Sequence, residues 1–390
     1  MADMRALTFD RTRETWATST GMTLERVPRP TLDASRDPKD NKRVIVKVRY
    51  AGFCGTDRGI WSRKAFGSMV LGSMEARGEH RRIFGHELLG EIVELGATVK
   101  ASGKFSIGET IAAESHLVCW QCHQCLEGQH HVCANEQILG VSADGCFADY
   151  VKLPADCLWK TNLDRIRPEV AAIQEPFGNA VHACQVADLR GRTVVILGTG
   201  TIGLLAVLVA QGLGAGRVIG VDPNPARRAM AEELGCDLTL CPSRPPEEAP
   251  FQHDPELTKI ILDATHGRGA DVCLEMSGFP DSINSAIHMT RRGGQVVLFG
   301  VKDGNMVIED SQRVVMNGLR LQGVVGRRLW KTWNMGRSLL EERSNGIQDA
   351  IWTTILGEGK GSIIAMDDWE KDTFEEDVLS RWPKPILQFS

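Results

Sequence analysis

A glycine-rich turn between two apolar segments constrains the fold of this chain most strongly. Residues 198–203 have the sequence GTGTIG, which follows the apolar run 193–197 and opens the apolar stretch 202–213. A lone GxGxxG is weak evidence, because glycine is common in tight turns. Between a buried strand and a helix, however, its glycines permit the turn, admit a pyrophosphate and let helix and strand pack closely. We therefore predict a dinucleotide site, with the phosphates at the helix N-terminus, that includes Gly198, Gly200 and Gly203.

An acidic residue stands where such a site requires one. Asp222 ends the next predicted strand, 217–221, nineteen residues after Gly203. A carboxylate there accepts hydrogen bonds from the ribose hydroxyls and repels an additional phosphate, which favours NAD over NADP. Alternatively, Asp222 is an N-cap or turn residue before Pro223. That role would not explain why Asp222 occurs at the expected distance after the glycine-rich turn. Arg227 and Arg228 keep NADP open, unless they simply lie on an exposed helix face.

Strands and helices alternate from residue 193 onward. Strands are predicted at 271–276 and 295–300, with helices at 226–234 and 281–290, and this alternation indicates a doubly wound parallel sheet. The first 165 residues instead predict a β-rich domain, with alternating side chains over 44–50 and further strands at 87–95, 110–113 and 147–153. A chain of 390 residues is also too long for one ordinary core.

Composition excludes several classes of function. The net charge is -5 and the pI is near 6.1, which gives no reason to expect binding to nucleic acid or to a membrane surface. No apolar run approaches the length that spans a bilayer. The first residues lack the basic-then-apolar order of a signal peptide. The expected location is the cytoplasm.

Four cysteines crowd into a short segment. Cys119, Cys122, Cys125 and Cys133 have the spacing C-x2-C-x2-C-x7-C, and gaps of two residues let thiolates converge on one ion. An iron–sulfur cluster is the competing interpretation; it is disfavoured because its fourth cysteine is usually closer or followed by proline. Unrelated buried cysteines are improbable at this density. We predict a structural zinc, since four thiolates leave no open position.

A second metal site is predicted from three distant residues. Cys54 follows the 44–50 strand, His86 lies in Gly85-His86-Glu87, and Glu175 lies in an apolar run before Pro176, where we expect a kink. Alone, Cys54 is more often a small buried hydrophobe and His86 a turn histidine. Together the three supply a thiolate, an imidazole and a carboxylate, which leaves a fourth position open, as a catalytic zinc requires.

The motifs GFCGTD, GHE, the four cysteines, EPFGNAVHA and GTGTIG occur in the order of the zinc-dependent medium-chain dehydrogenases. The chain resembles this family over nearly its whole length. EPFGNAVHA (175–183), with Gly326-Arg327-Arg328 and Thr332-Trp333, is most similar to the L-threonine 3-dehydrogenase branch. The resemblance implies a GroES-like catalytic domain of residues 1–180 and 320–390, which carries the 119–133 zinc lobe. It also implies an inserted NAD-binding Rossmann domain of residues 181–319.

The resemblance also implies roles for individual residues. Cys54, His86 and Glu175 would ligate the catalytic zinc, with Glu87 as an alternating ligand or a partner of the ligands. Thr56 would relay the substrate proton, and His116 would lie near the substrate. Besides the glycines and Asp222, the implied coenzyme contacts are Ile202, Arg227, Phe299, Gly300, Val301, Val324 and Val325. Family members are usually dimers or tetramers, so a homo-oligomer is expected.

Two features depart from the family pattern. The histidine that often follows the zinc-binding cysteine by five residues is replaced here by Gly59. The interval between Cys54 and His86 is also long, and its residues 58–82 include six basic and two acidic side chains. This segment is either a solvated surface loop or a neighbour of the substrate entrance that favours an anionic or zwitterionic alcohol.

The predicted reaction is reversible oxidation of a secondary alcohol, with zinc lowering the pKa of the hydroxyl and NAD accepting the hydride. Threonine is the substrate that the resemblance implies. A polyol, sugar or amino-alcohol dehydrogenase is the first alternative, because Glu175 as a ligand also occurs in the polyol branch. A catalytically silent NAD-binding protein is the second, and the intact set of Cys54, Thr56, His86 and Glu175 argues against it.

Overall fold

The computed structural model describes residues 3–301 and 304–390. The chain divides into two compact units, Met1–Pro176 with Leu356–Ser390, and Phe177–Ile355. The first division lies near the boundary predicted at 180. The second lies at 355 instead of 319, because the strand at 320–323 pairs with the parallel sheet of the second unit. Residues 320–355 thus belong to the second unit and not to the first.

The chain alternates short strands and helices over the described residues. The strands are β1 (Asp3–Asp10), β2 (Thr23–Pro28), β3 (Arg43–Gly52), β4 (Arg81–Ile83), β5 (Glu87–Leu95), β6 (Thr110–Ala113), β7 (His116–Leu117), β8 (Gln137–Ile138), β9 (Tyr150–Pro154), β10 (Leu158–Lys160), β11 (Thr193–Leu197), β12 (Arg217–Val221), β13 (Leu238–Leu240), β14 (Ala270–Glu275), β15 (Thr290–Leu298), β16 (Arg320–Gly323), β17 (Ile363–Ala365) and β18 (Ile386–Gln388). The α-helices are α1 (Gly55–Trp61), α2 (Gly67–Ala76), α3 (Ala97–Ser102), α4 (His123–Leu126), α5 (Pro168–Ala171), α6 (Gln174–Gln185), α7 (Thr201–Gly212), α8 (Pro225–Glu233), α9 (Pro255–Ala264), α10 (Pro280–Met289), α11 (Ser311–Met316), α12 (Lys331–Glu341), α13 (Ile347–Ala350) and α14 (Lys371–Thr373).

The first unit is organised around β3. This strand pairs antiparallel with β5, β9 and β18, in a seven-stranded sheet of order β10-β6-β5-β3-β18-β17 with β9 also beside β3. Val44, Val46 and Val48 are fully buried whereas Arg49 is exposed, as the alternating pattern of side chains predicts. Two smaller sheets, β2-β1-β4 and β7-β8, complete the unit.

A buried carboxylate stabilises the chain just before β3. Asp40 is 3% exposed; it accepts the N–H of Asp33 at 2.9 Å and pairs with Arg43 at 2.8 Å and Lys152 at 3.0 Å. Burial alone would raise its pKa, but these donors lower the pKa from 3.8 to about 2. At ~1.4 kcal/mol per pKa unit, we expect Asp40→Asn to lower the free energy of unfolding by about 2 kcal/mol at pH 7.

The sign of the pH dependence follows from that lowered pKa. The stabilisation is complete above the unfolded-state pKa and is lost as the pH falls toward the folded-state value. The stability difference between wild type and Asp40→Asn should therefore shrink between pH 6 and pH 3 in urea unfolding experiments. Asp156→Asn, at an exposed position of the same unit, is the control. A difference that stays constant with pH would contradict the assignment.

The second unit contains the predicted parallel sheet. Its six strands have the order β13-β12-β11-β14-β15-β16, and every neighbouring pair is parallel. The strand order reverses direction between β11 and β14, which is where doubly wound sheets bind their ligands. Helix α7 is apolar and buried over most of its length. The fold class predicted from the alternation is confirmed.

Three local predictions can be compared with the structure. Residues 58–82 are not a plain surface loop, since they contain most of α1 and all of α2. Pro176 does not kink a helix, because it lies in the first turn of α6, where its missing N–H has no intrahelical partner. The loop predicted at 241–256 extends from Cys241 to Asp254. Among the described helices, none is long and apolar enough to cross a membrane.

Candidate active site

The glycine-rich turn has the geometry that its sequence requires. Gly198 follows β11 and adopts a φ of +95°, a conformation that favours glycine. Gly200 is the N-cap residue of α7. A Cβ at Gly203 would lie 2.0 Å from the carbonyl oxygen of Gly198, so only glycine lets the helix approach the turn this closely. The α7 N-terminus therefore starts directly at the turn.

Asp222 is fixed at the end of β12 by backbone donors. Its carboxylate is 2% exposed and accepts the N–H of Thr199 at 2.9 Å and the N–H of Asn224 at 2.8 Å. The second bond is the turn role considered as the alternative, whereas the first ties the carboxylate to the glycine-rich turn. Arg227 is half-exposed and lies 3.7 Å from the same carboxylate. Asp222 thus combines a turn function with a position beside the glycines.

A pocket of about 1140 Å³ opens beside this turn within the second unit. Of the predicted coenzyme contacts, the lining includes Gly198, Gly200, Asp222, Arg227, Gly300 and Val301. It does not include Gly203, which packs beneath the turn, nor Ile202, Phe299, Val324 and Val325. Sequence reasoning missed the segments 242–245, 276–285 and 304–306. The residues after β14 could have been found, since the switch-point rule directs attention to the end of that strand.

In the first unit, a thiol and an imidazole face each other. Cys54 is the N-cap residue of α1, and its sulfur accepts the N–H of Thr56. The Cys54 Sγ lies 3.0 Å from Nε2 of His86. Asp57, which sequence analysis passed over, accepts the N–H of Cys54 at 3.0 Å and has its Oδ1 3.5 Å from Nδ1 of His86. One carboxylate therefore orients both groups, as partners of metal ligands commonly do.

Glu87 is the third group that converges there. A ligand atom of Glu87 lies within 4.8 Å of those of Cys54 and His86, and we call these three residues the catalytic cluster. Both carboxylate oxygens of Glu87 accept from Lys384 at 2.7 Å, and both side chains are fully buried. A Cβ at Gly52 would lie 2.0 Å from Oε2 of Glu87, so this strand position must remain glycine.

Glu175 lies beside the catalytic cluster. Its Oε1 accepts the hydroxyl of Ser115 at 2.6 Å. Burial raises the pKa of Glu87, the charge of Lys384 opposes this, and the charge of Glu175 raises the pKa further. The two carboxylates are thus close enough to interact, although Glu175 is not among the three residues whose ligand atoms converge. Thr56 is half-buried and lies two residues after Cys54. Nδ1 of His116 contacts Glu136 at 2.7 Å.

The electrostatics of the catalytic cluster suit a bound cation. Burial raises the pKa of the Cys54 thiol. Burial alone would lower the pKa of His86, but the charges of Cys54 and Asp57 raise it well above its ordinary value. Because a buried thiolate and carboxylate need compensating positive charge, a divalent ion that replaces the shared protons fits these residues.

The four clustered cysteines form a closed site. Their sulfurs all lie within 4.8 Å of one another, and the sulfurs of Cys122 and Cys133 are 3.8 Å apart. A tetrahedral zinc with bonds of about 2.3 Å requires sulfur–sulfur distances of about 3.8 Å. A multi-iron cluster spreads its cysteines over several irons and would hold them farther apart. The N–H of Gln121 and other donors lower the pKa of Cys119 to about 6, whereas burial raises the pKa of Cys125 to about 12.

The arginines of the basic segment 58–82 contact other residues of the first unit. Arg58 donates to the carbonyl oxygens of Leu379 and Trp382. Arg63 is 4% exposed and lies over the rings of Phe9 and Trp16. Fully buried Arg82 pairs with Glu79 at 2.6 Å. These cations hold the helical segment in place, so the solvated-loop interpretation does not describe them.

Gly59 has a steric reason to be glycine. A Cβ at this position would lie 2.8 Å from the Cβ of Ala65. The carbonyl oxygen of Gly59 also accepts the N–H groups of Lys64 and Ala65, which close the turn after α1. A histidine side chain has no room here while the 58–82 segment folds back in this way.

In the second unit, the two sequence features of the threonine branch pack against each other. Arg327 is 2% exposed and donates to Oδ1 of Asn179 at 2.8 Å. A Cβ at Gly178 would lie 2.8 Å from Cδ of Arg327, and the carbonyl oxygen of Gly326 contacts Nδ1 of His182 at 2.9 Å. Residues of EPFGNAVHA and of the GRR sequence therefore contact each other directly in this chain.

Comparison with known proteins agrees with this fold and site. The family profile described as "Alcohol dehydrogenase GroES-like domain" matches residues 40–163, and that described as "Zinc-binding dehydrogenase" matches residues 201–342. The L-threonine 3-dehydrogenase of Symbiobacterium thermophilum is 39% identical over 319 residues, which are 82% of this chain and 83% of that protein. The Bacillus subtilis L-threonine 3-dehydrogenase is 36% identical over 320 residues, 82% and 84% of the two chains.

Solved structures share the fold. An alcohol dehydrogenase from Thermotoga maritima has a TM-score of 0.78 at 22% identity and covers 100% of both chains. Galactitol-1-phosphate dehydrogenase from Escherichia coli has a TM-score of 0.76 at 21% identity, covering 99% of this chain and 100% of that one.

These findings define the class of protein. The chain belongs to the zinc-dependent medium-chain alcohol dehydrogenases, enzymes that use zinc and a nicotinamide dinucleotide. Within that family it belongs to the L-threonine 3-dehydrogenase branch. The resemblance drawn from the sequence motifs is thereby confirmed, as are the GroES-like and Rossmann folds and the class of reaction.

Proposed function

We propose that the protein oxidises the secondary hydroxyl of L-threonine with NAD to give 2-amino-3-ketobutyrate. The observation that carries this proposal is the buried thiol–imidazole pair of Cys54 and His86, with the carboxylates of Glu87 and Glu175 close by, in a chain 36–39% identical to proteins named L-threonine 3-dehydrogenase. A buried thiol, imidazole and carboxylate are the ligand types of a catalytic zinc that retains an open position.

The ligand set that we propose is Cys54, His86 and Glu175. When bound, zinc would act as a Lewis acid toward the substrate hydroxyl, and NAD would accept the hydride. Glu87 would serve as an alternating ligand or as a partner of the ligands, and the second role is favoured because Lys384 engages both of its oxygens. Asp57 would hold His86 and the Cys54 backbone in a fixed orientation, through the contacts described above.

We assign to Thr56 the transfer of the proton from the substrate hydroxyl. The N–H of this residue donates to Sγ of Cys54, which places Thr56 beside a proposed ligand. Because Gly59 replaces the usual histidine relay, the proton would leave through Thr56, the coenzyme ribose and water. His116 is proposed to lie near the substrate, with its Nδ1 already fixed by Glu136.

Asp222 supports NAD as the coenzyme. Its nearly buried carboxylate would accept from the ribose hydroxyls and would repel the additional phosphate of NADP. Arg227 and Arg244 also line the pocket and would attract that phosphate. The proposed site also includes Ile202, Phe299, Val324 and Val325, which lie outside the pocket lining.

The proposal also includes recognition of the charged groups of a zwitterionic substrate. Arg327 is proposed to help fix the substrate carboxylate, although it is buried and held by Asn179. The arginines of segment 58–82 are engaged within the first unit and so are weaker candidates. We also propose a cytoplasmic homo-oligomer, a dimer or a tetramer, on the family resemblance.

Four alcohols test the proposed substrate. L-Threonine, 3-hydroxybutyrate, 1-aminopropan-2-ol and 2,3-butanediol share a secondary hydroxyl, but the last three lack the ammonium group, the carboxylate or both. A site built to bind both groups should favour threonine by at least about 10³-fold in kcat/KM. The reduction of NAD and of NADP should be measured with each of these alcohols and also with the polyols sorbitol and galactitol. A higher kcat/KM for a polyol or for the diol would replace threonine with the first alternative.

A further inference from the structure

A third group of potential metal ligands lies in the second unit, whereas both proposed zinc sites are formed by residues of the first. His253 comes from the loop before α9, His288 from α10, and Glu309 from the segment before α11. One ligand atom from each lies within 4.8 Å of the others. The two imidazole rings are stacked, with centroids 3.7 Å apart and planes inclined by 9°. We call these residues the histidine cluster.

Hydrogen bonds from backbone N–H groups help to hold the histidine cluster in position. Glu309 Oε2 accepts the N–H of His253 at 2.9 Å and contacts Nδ1 of the same residue at 2.7 Å. The N–H of Glu309 donates to Oδ1 of Asn284 on α10 at 2.9 Å. Since an ionised carboxylate only accepts, Nδ1 of His253 carries the proton. A metal ion that displaces this proton would meet Nδ1 and Oε2 side by side.

The ring of His288 has a nitrogen that lacks a hydrogen-bond partner among the described residues. Nε2 of His288 is buried, and within the described part of the chain it has no hydrogen-bond partner. A buried nitrogen without a partner is costly, and it requires a reason. A hydrogen-bonded clasp of three residues would explain the contact between His253 and Glu309, but it would leave this nitrogen unexplained.

We propose that His253, His288 and Glu309 form an additional binding site for a divalent transition metal of the zinc class. Two imidazole nitrogens and a carboxylate are ligands that suit zinc, cobalt or nickel. Binding would replace the proton on Nδ1 of His253 by the ion, so that Nδ1 and Oε2 of Glu309, which lie 2.7 Å apart, both become ligands. His288 adds a second imidazole, whose Nε2 lacks a partner within the described part of the chain.

The histidine cluster is linked to the pocket beside the glycine-rich turn. Each of its three segments also lines the pocket beside the glycine-rich turn, through Asp254, Ser285 and Met306. An ion that joins the segments would hold this pocket wall in one arrangement. If NAD occupies the pocket, as we propose, the ion and NAD should each strengthen the binding of the other.

Cobalt binding to the zinc-loaded protein tests the site. Co²⁺ does not readily displace Zn²⁺ from the same ligands, so visible absorption and calorimetry should report one additional ion per chain. His288→Asn should weaken this binding by at least about tenfold, and Glu309→Gln by about tenfold to 100-fold. His266→Asn is the matched control, because His266 is exposed and has a φ of +55° that asparagine tolerates.

The outcomes separate this inference from the proposed function, since cobalt binding is measured without an alcohol. No additional ion in the wild type, or equal affinity in His288→Asn and His266→Asn, would overturn the site. If His288→Asn unfolds by circular dichroism, His253→Asn and Glu309→Gln decide the question. NAD should bind at least about fivefold more tightly with cobalt present; unchanged NAD affinity would overturn the coupling.

Discussion

Replacing Cys54 by alanine is expected to lower kcat by at least about 10³-fold while NAD binding is retained. Zinc polarisation of a hydroxyl supplies several kcal/mol, and each ~1.4 kcal/mol corresponds to a factor of ten in rate. Because Cys54 supplies the buried thiol 3.0 Å from His86, its loss should release the catalytic zinc. The dinucleotide turn and its pocket lie in the other unit, so the dissociation constant of NAD should change little.

A neighbouring cysteine provides the control for this experiment. Cys146 is fully buried, and its sulfur lies 3.4 Å from the carbonyl oxygen of Glu87, but it is not one of the converging ligands. Cys146→Ala removes a thiol from the same surroundings and should keep both zinc and turnover. The measurements are zinc content by atomic absorption, NAD binding by fluorescence and the rate of NAD reduction. Full activity in Cys54→Ala, or equal losses in the two variants, would refute the zinc assignment.

Local sequence patterns were sufficient for the nucleotide-binding sheet. The predicted strands 193–197 and 217–221 coincide with β11 and β12, because continuous apolar runs bounded by glycine or aspartate leave few alternatives. The sequence motifs also indicated Cys54, His86 and Glu175 as metal ligands, with Glu87 as an alternating ligand or a partner of the ligands, whereas the converging atoms belong to Cys54, His86 and Glu87. Their motifs are short and chemically specific, so each could be found without knowledge of the intervening chain.

Long-range contacts were beyond the reach of the same patterns. Lys384 stands 297 residues after Glu87, and nothing near it in sequence indicates a buried partner. Residues 320–355 were assigned to the wrong side of the boundary, because only pairing with β15 shows where β16 belongs. The arginines of segment 58–82 were interpreted from their charge, whereas aromatic rings and carbonyl oxygens distant in sequence hold them.

The histidine cluster was missed for a related reason. His253 lies in a loop, His288 on a helix and Glu309 near a helix N-terminus, with no recognisable spacing between them. The fold of the second unit brings these segments together, and Asn284 joins them by hydrogen bonds to Phe251, Val307 and Glu309. Ligands contributed by three separate crossovers leave no motif in the sequence.

Serine in place of Cys122 is expected to release the structural zinc and unfold the cysteine lobe, residues 119–133. Between residues 118 and 136, only Cys125 and Cys133 are buried, while Trp120, Leu126 and Val132 are exposed. A segment with so little core depends on its metal, and structural zinc sites contribute about 10–16 kcal/mol in zinc-finger peptides. Loss of one of four thiolates should weaken zinc binding by at least about 10³-fold.

Hydrogen exchange distinguishes loss of the lobe from loss of the whole fold. Amides of residues 119–133 should exchange at least about 100-fold faster in Cys122→Ser, whereas those of β3 and β11 should keep their protection, because local opening need not involve the core strands. Cys241→Ser, at an exposed cysteine of the other unit, should retain all bound zinc and wild-type exchange. A Cys122→Ser protein with unchanged zinc content would show that the four sulfurs do not share an ion. The same loss in Cys241→Ser would show that thiol removal in general, and not the tetrahedral site, destabilises the chain.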